Sequence, residues 1–317
     1  MAQDKLTVAV IGLGPVGSIL AAHLAHSGAD VVVQDAMPHI RQKVKQDGIT
    51  ISGITQLTAK IDKIAESIPQ LAEFDPEIVF IVTKACYLKD VLPEIKRIYT
   101  SKLRVVSFQN GLGNEQVIAE QLGVETAYRV VINYAGNLVS VGHAAMNWFQ
   151  PPNYVGALHK GQYTVDETTK RIASMLSAAG LKTEETPNIK KDVWEKTILN
   201  AALCSICALT GQTMKEAMEY PHSRKLAVQV LEEGLSVARA DGCDFDAGAL
   251  SKFTAYLEKG GAHKPSMLID VEKKRPTEVD FMSGAIARYG EKYNVPTPVN
   301  STLTRLLKTI ENQYLER

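Results

Sequence analysis

Glycines at positions 12, 14 and 17 stand in the string Gly12-Leu13-Gly14-Pro15-Val16-Gly17, directly after the apolar run Thr7–Ile11 and at the head of a helical pattern. In that setting each glycine does something different. Gly12 permits a tight turn, Gly14 lets backbone approach a pyrophosphate, and Gly17 lets helix pack closely on strand. The helix start adds N–H groups and a partial positive charge that suit phosphate oxygens. FAD and S-adenosylmethionine enzymes use similar turns, and a turn that has lost its ligand would read the same way. Asp35 narrows the choice. It follows Gly17 by eighteen residues and comes just after the β-branched run Asp30–Gln34, where a carboxylate accepts hydrogen bonds from the adenosine ribose. A 2′-phosphate there would face that negative charge, and Ala36-Met37-Pro38-His39 bring no Arg or Lys before Arg41. The expected cofactor is NAD(H) in preference to NADP(H).

Two more polar residues close apolar runs: Lys84 follows Ile78–Thr83, and Asn110 follows Arg104–Gln109. Open α/β sheets bind ligands at the carboxyl ends of their strands, which makes both site candidates. A solvated lysine and an Asn-Gly turn account for them equally well. Lys196 and Asn200, four apart in a mostly apolar helical stretch, share one helix face. Unpaired burial of either would be costly, and a catalytic cleft would give them a reason to be there. A solvent-facing edge of the helix would do so too.

These residues need a scaffold. The runs Thr7–Gly12, Asp30–Gln34, Ile78–Thr83 and Arg104–Gln109 are continuously apolar, with helical patterns reaching about His26 and spanning Leu88–Tyr99. Parallel strands covered on both faces read this way, so a doubly wound, Rossmann-type α/β domain is expected. Val, Tyr, Asn and Gly dominate from Tyr128 to Leu158, which reads as further strands, some antiparallel, at the sheet's far edge. Thr183–Thr186 could be a last strand. Beyond Pro187 long helical periodicities take over, at Ile189–Leu209, His222–Asp241, Asp246–Lys259 and Leu303–Leu315. The expected division is a dinucleotide-binding domain over residues 1–187 and an all-helical substrate and dimerisation domain over 188–317.

Thirty-five Lys plus Arg balance 35 Asp plus Glu, so no overall field draws nucleic acid or an acidic membrane. The start, Met1 to Gly12, lacks the pattern of a secretory signal and reads as cytoplasmic. The most apolar segment, Ile198–Leu209, is too short for a membrane span and reads as a buried helix. Four scattered cysteines make no disulfide framework, and Cys204-x-x-Cys207 has no second pair to complete a metal site. No metal is expected.

Read together, the segments Gly12–Gly17, Val82-Thr83-Lys84-Ala85, Gln109-Asn110-Gly111-Leu112-Gly113, Lys196–Asn200, Pro265-Ser266-Met267-Leu268-Ile269-Asp270 and Arg275-Pro276-Thr277-Glu278-Val279-Asp280 resemble the ketopantoate reductases (2-dehydropantoate 2-reductases) over nearly the whole chain. These lie within the larger group of dehydrogenases, 6-phosphogluconate-dehydrogenase-like in architecture, that join a Rossmann domain to a helical one. The resemblance implies reduction of a 2-keto acid, ketopantoate to D-pantoate on the way to coenzyme A, by hydride from a nicotinamide. It implies Lys196 as general acid on the C2 carbonyl oxygen. Glu278 would hold Lys196 or bind the substrate hydroxyl, and counts among the cofactor contacts. Asn110 and Asn200 would fix substrate and nicotinamide, Ser266 would bind the carboxylate, and Lys84 would stand on the cofactor side. Taken singly, Ser266 reads as a helix N-cap after Pro265, and Glu278 as a first-turn acid after Pro276.

One departure bears on the substrate. Where the family often has a second Asn four residues after Asn200, this chain has Cys204, a poor substitute for an amide that donates and accepts at once. An NAD-dependent D-2-hydroxyacid dehydrogenase acting on another branched or aromatic 2-keto acid is the alternative. Tyr134 and Trp148 are hydrophobic candidates for the pocket wall. A non-catalytic cofactor sensor would be expected to have lost Lys196, Asn200, Ser266 and Glu278, all of which are present. The expected partners are a small 2-keto acid and a second copy of the chain, with neither nucleic acid nor membrane.

Overall fold

A computed structural model describes residues 6–315; the first five residues, part of the amino-terminal start, and residues 316–317 lie outside the described residues. Contacts divide the chain into two compact units, Met1–Gln109 with Asn114–Ile189, and Asn110–Gly113 with Lys190–Arg317.

The first unit runs β1 (Thr7–Ile11), α1 (Pro15–His26), β2 (Asp30–Gln34), α2 (Pro38–Asp47), β3 (Ile49–Gly53), β4 (Leu57–Ala59), β5 (Lys63–Ala65), β6 (Ile78–Ile81), α3 (Leu88–Ile98), β7 (Arg104–Ser107), α4 (Asn114–Leu122), β8 (Thr126–Val131), β9 (Tyr134–Ser140), β10 (His143–Phe149), β11 (Asn153–His159), β12 (Gln162–Thr164), α5 (Glu167–Ala178) and β13 (Thr183–Glu185). The main sheet is ordered β12-β11-β8-β7-β6-β1-β2-β5, with β13 beside β11. Every pairing from β5 to β8 is parallel. Alternation along β1 shows why the run is apolar throughout. Val8 and Val10 join a core with residues of α1 and α5, while Ala9 and Ile11 join the opposite core with residues of α3 and α4.

The stretch from Tyr128 to Leu158 departs from expectation. Strands β8, β11 and β12 do extend the main sheet, but β9 and β10 leave it and form a second sheet ordered β4-β3-β10-β9. The reason is the β3–β4 pair, which local sequence pattern does not reveal. Ile49 and Ile51 alternate with less buried residues and turn one face to the core that holds α1, and β10 adds to the free side of β3. Gly53 makes this closure possible, since a Cβ there would lie 2.2 Å from the Met146 carbonyl oxygen.

The second unit contains α6 (Ile189–Thr210), α7 (Met214–Glu219), α8 (Pro221–Ala240), α9 (Ala249–Glu258), α10 (Ser266–Glu272), α11 (Ser283–Tyr293) and α12 (Pro298–Leu315). Helices α7, α10 and α11 add to the expected set. Buried polar groups fix the helix ends. Asp241, after α8, accepts from the Trp194 indole N–H at 2.9 Å and from the Tyr293 hydroxyl, and pairs with Lys190 at 3.0 Å. Glu233 of α8 receives the Val299 and Asn300 N–H groups at 2.8 and 2.9 Å, capping the start of α12. The fold is thus α/β, a Rossmann-type sheet unit followed by a helical one. Among the described residues no helix is long and apolar enough to cross a membrane.

Candidate active site

In the sheet unit, β1 ends in the glycine turn and α1 begins at Pro15. Gly12 N–H bonds the Gln34 carbonyl at 2.8 Å, which ties the turn to β2. Gly12 has φ +97°, and a Cβ there would meet Thr83 N at 2.9 Å. Gly17 is tighter, because its Cβ would fall 1.9 Å from the Gly12 carbonyl oxygen. Gly14 is different: a Cβ there meets nothing within 4 Å, and no side chain caps the helix that Gly14 starts. Gly14, Pro15 and Val16 are half-exposed, while Gly12, Leu13 and Gly17 are buried. Open space beside the first-turn N–H groups of α1, with no side chain capping them, fits a pyrophosphate. The residues present therefore fit a dinucleotide.

Asp35 is 9% exposed at the end of β2, its Oδ2 accepting from Leu13 N–H at 2.7 Å and its Oδ1 from Met37 N–H at 2.9 Å. The carboxylate thus locks the glycine turn to the strand where a ribose would lie. Arg41, the first cation after Asp35, folds back from α2 and donates to the backbone carbonyls of Asp35 and of Ala36, the latter at 3.0 Å. Lys84 is half-exposed just beyond β6, before a 3-10 turn at Ala85–Tyr87. Tyr134 is buried, its hydroxyl donates to the Val16 carbonyl at 3.2 Å, and its ring packs between Phe108 and Phe149. Trp148 is half-buried on β10, paired with Ala135.

The helical unit gathers a second group. Lys196 and Asn200 are half-buried one turn apart on α6, and Cys204 is buried a further turn along. Burial pushes the Lys196 pKa down, opposed by the charges of Cys204 and Glu195. Burial pushes the Cys204 thiol up to about 12; Lys196 opposes the rise, while Glu278 and Asp270 add to it. Cys204 therefore lies within electrostatic range of Lys196, Glu278 and Asp270. Glu278 is half-buried between two fixed neighbours. Thr277 N–H donates to buried Glu311 at 2.6 Å, and Asp280 pairs with Lys308 at 2.9 Å. Asn110 belongs to this unit as well, although it follows a strand of the sheet. Leu112 N–H bonds the Phe281 carbonyl at 2.9 Å, and a Cβ on Gly111 would lie 2.6 Å from the Phe281 Cβ, so Asn110 is set beside the turn that Glu278 begins.

Two local readings are corrected. Pro265 occupies the N-cap of α10 and Ser266 is its exposed first residue, because the fixed φ of proline suits the entry to the helix and leaves the serine one place too late to cap. Glu278 is itself the cap residue of the Val279–Phe281 turn, so it is not a first-turn acid. Cys204 and Cys207 are both buried with thiols raised to about 12 by burial, and among the described residues no group of three or more His, Cys, Asp or Glu could hold a metal.

Comparison with known proteins covers both halves. The family described as ketopantoate reductase PanE/ApbA matches residues 8–160, and its C-terminal counterpart matches 188–311. A 2-dehydropantoate 2-reductase of Pyrococcus abyssi is 27% identical over 307 residues, 96% of this chain and 97% of the relative. Among solved structures, a PanE/ApbA family ketopantoate reductase from Ralstonia eutropha JMP134 superposes with a TM-score of 0.86 at 22% identity, covering 98% of this chain and all of that one. A D-mandelate dehydrogenase in complex with NADH gives 0.82 at 25% identity, covering 98% of this chain and 100% of its own. With one family accounting for the sheet half and the helical half alike, the chain belongs to the ketopantoate reductases, a family of nicotinamide-dependent oxidoreductases.

Proposed function

We propose that this protein reduces 2-dehydropantoate to D-pantoate. The observation that carries the reading is Lys196, a lysine with its pKa lowered by burial, one turn from Asn200 and in a neighbourhood shared with Glu278. Bound at the glycine turn, the dinucleotide supplies the hydride. The Lys196 ammonium bonds the keto oxygen, stabilises the negative charge that develops there and then gives it a proton. A lowered pKa makes Lys196 a stronger acid near neutral pH. Glu278, held by its neighbours, orients Lys196 or the substrate hydroxyl. Asn110 and Asn200 fix substrate and nicotinamide, and Ser266 binds the carboxylate. Gly12, Leu13, Gly14, Pro15, Val16 and Gly17 form the pyrophosphate turn, and Lys84 stands on the cofactor side.

NAD(H) is the proposed cofactor. The support is the Asp35 carboxylate, fixed by two backbone N–H groups at the end of β2, where it repels a 2′-phosphate. Two copies of the chain associate through the helical unit, where Tyr220, Leu226, Tyr256, Leu306 and Leu315 are large exposed side chains. Buried Cys204 supports a second reading, a dehydrogenase for a 2-keto acid whose far end carries no hydroxyl.

One assay panel separates the readings: purified protein with NADH or NADPH and, in turn, ketopantoate, 2-ketoisovalerate, 2-ketoisocaproate and phenylglyoxylate. The highest kcat/KM is expected on ketopantoate, and comparable or better turnover on the others would replace it with the second reading. Lys196→Ala should lower kcat about 10²–10⁴-fold, the usual worth of a general acid.

A further inference from the structure

We propose that Gln109 is a positioning residue for the dinucleotide, held in a single orientation by a buried chain of hydrogen-bond donors that begins at Arg129. The chain lies wholly within the sheet unit. Arg129 on β8 donates from Nη1 to Ser107 Oγ at 3.0 Å, Ser107 donates to Gln109 Oε1 at 3.3 Å, and Gln109 Nε2 donates to the Thr83 carbonyl at 2.8 Å. Arg129 and Gln109 are each 3% exposed and Ser107 is 0%. The charge is balanced by Glu115, whose Oε2 lies 3.7 Å from Arg129 Nη1 and whose Oε1 accepts from the Tyr163 hydroxyl at 2.9 Å.

The direction of the chain follows from what each group can do. Arginine only donates, so Ser107 accepts from it and spends its one hydrogen on Gln109. The Gln109 carbonyl is thereby turned to Ser107 and its NH₂ to Thr83. A cation at the head polarises each bond after it. Strand pairing does not require this arrangement. The ladder around β6 is complete with Val82 N–H on Ile11 and Phe108 N–H on Ile81, and Gln109 adds a bond beyond it. A buried charge pair is also a poor source of net stability, since an apolar replacement often serves as well. What the chain does supply is a fixed Thr83 peptide. Thr83 is pressed against the first glycine of the turn, 2.9 Å from where a Gly12 Cβ would stand, and it directly precedes Lys84. Any drift of Thr83 moves the wall of the pyrophosphate cradle and the root of Lys84 together.

Fluorescence titration of the intact enzyme with NADH and with NADPH tests this without a keto acid, so it stands apart from the substrate proposal. Gln109→Met keeps the volume and removes the donor; Kd should rise about tenfold, the worth of one well-placed hydrogen bond, with Tm lowered by only a few degrees for the partners left unpaired. Gln109→Glu cannot donate when ionised but can when protonated. Burial at this site, where Gln109 is 3% exposed, raises the carboxyl pKa of that Glu above its usual value of about 4.3, so its loss relative to wild type should shrink from about tenfold at pH 8 as the pH is lowered to 5, while that of Gln109→Met stays flat. Ser107→Ala, a smaller change that covers the case of poor folding in the others, should weaken binding about threefold. Binding within twofold of wild type for Gln109→Met or Ser107→Ala, or a pH-independent loss in Gln109→Glu, would reduce the chain to scaffolding and overturn the proposal.

Discussion

Alanine placed at Gly14 and alanine placed at Gly17 should have opposite effects, and the difference can be worked out before any measurement. At Gly14 the new methyl meets nothing within 4 Å, and φ −64° with ψ −174° is ordinary backbone for alanine. Removing glycine freedom from the unfolded chain then stabilises the protein by about 0.4–1 kcal/mol. For a unit of this size that raises Tm by about 1–4 °C. The same methyl fills the space that the pyrophosphate needs. Pushing a phosphate outward by about an ångström forfeits one or two charge-assisted bonds to the helix N–H groups, about 3 kcal/mol or two decades in Kd. At Gly17 the methyl would sit 1.9 Å from the Gly12 carbonyl oxygen, so α1 must leave β1 by more than an ångström. Such overpacking costs about 1–3 kcal/mol or more. Differential scanning fluorimetry of the apo proteins, followed by NADH titration, reads both quantities. Wild-type dinucleotide affinity in a folded Gly14→Ala protein would refute the placement of the cofactor, and a clear fall in its Tm would refute the steric argument.

Other outcomes follow from the same structure. Because burial lowers the Lys196 pKa below its usual 10.5, the reductive kcat should fall on the alkaline side with a midpoint below that value, and Lys196→Arg should remove this limb from the pH profile. His23 is held below 6.5 chiefly by burial, its Nδ1 bonding the Ala179 carbonyl at 2.8 Å. Between the two values the unfolded chain carries more protons, so stability should drop as pH falls through that window; His23→Asn, which keeps a donor but cannot titrate, should flatten the drop in Tm between pH 7.5 and 5. Asp35→Arg should move cofactor preference toward NADPH by about tenfold, and an unchanged ratio would show that Asp35 does not face the ribose. In thiol titration at pH 8, half-exposed Cys86 should react first, since Cys204, Cys207 and Cys243 are buried with pKa values near 12, 12 and 11.

What could be read in the sequence is what local spacing encodes. The Gly12–Gly17 turn, Asp35 after the next strand, and the parallel core strands each follow from periods of a few residues, and the long helices α6 and α8 show their patterns directly. The second sheet could not be read, because β3 and β4 are short and β3 finds β10 some ninety residues later. Nor could the burial of Arg129, whose partners Ser107 and Glu115 come from other segments. The strand before Asn110 points to the sheet edge, whereas the Leu112–Phe281 bond and the absence of a side chain on Gly111 seat it with the helices. Lys196 and Asn200 were legible as a shared face, whereas the reach of Glu278 toward the same neighbourhood depends on Thr277 and Asp280 being tied to α12.

The tetrapeptide Asn110–Gly113 makes the two units interleaved and not beads on a string. The polypeptide enters the helical unit, returns to the sheet unit at Asn114, and departs for good only after Ile189. A gene fragment beginning near residue 188 would encode every helix of that unit and still omit the piece that covers the Phe281 carbonyl. Chimeras that graft the helical half of one relative onto the sheet half of another must therefore carry this short stretch along. Gly111 is thereby fixed across 170 positions whatever side chain stands at 281, since its Cβ would lie 2.7 Å from the backbone oxygen there.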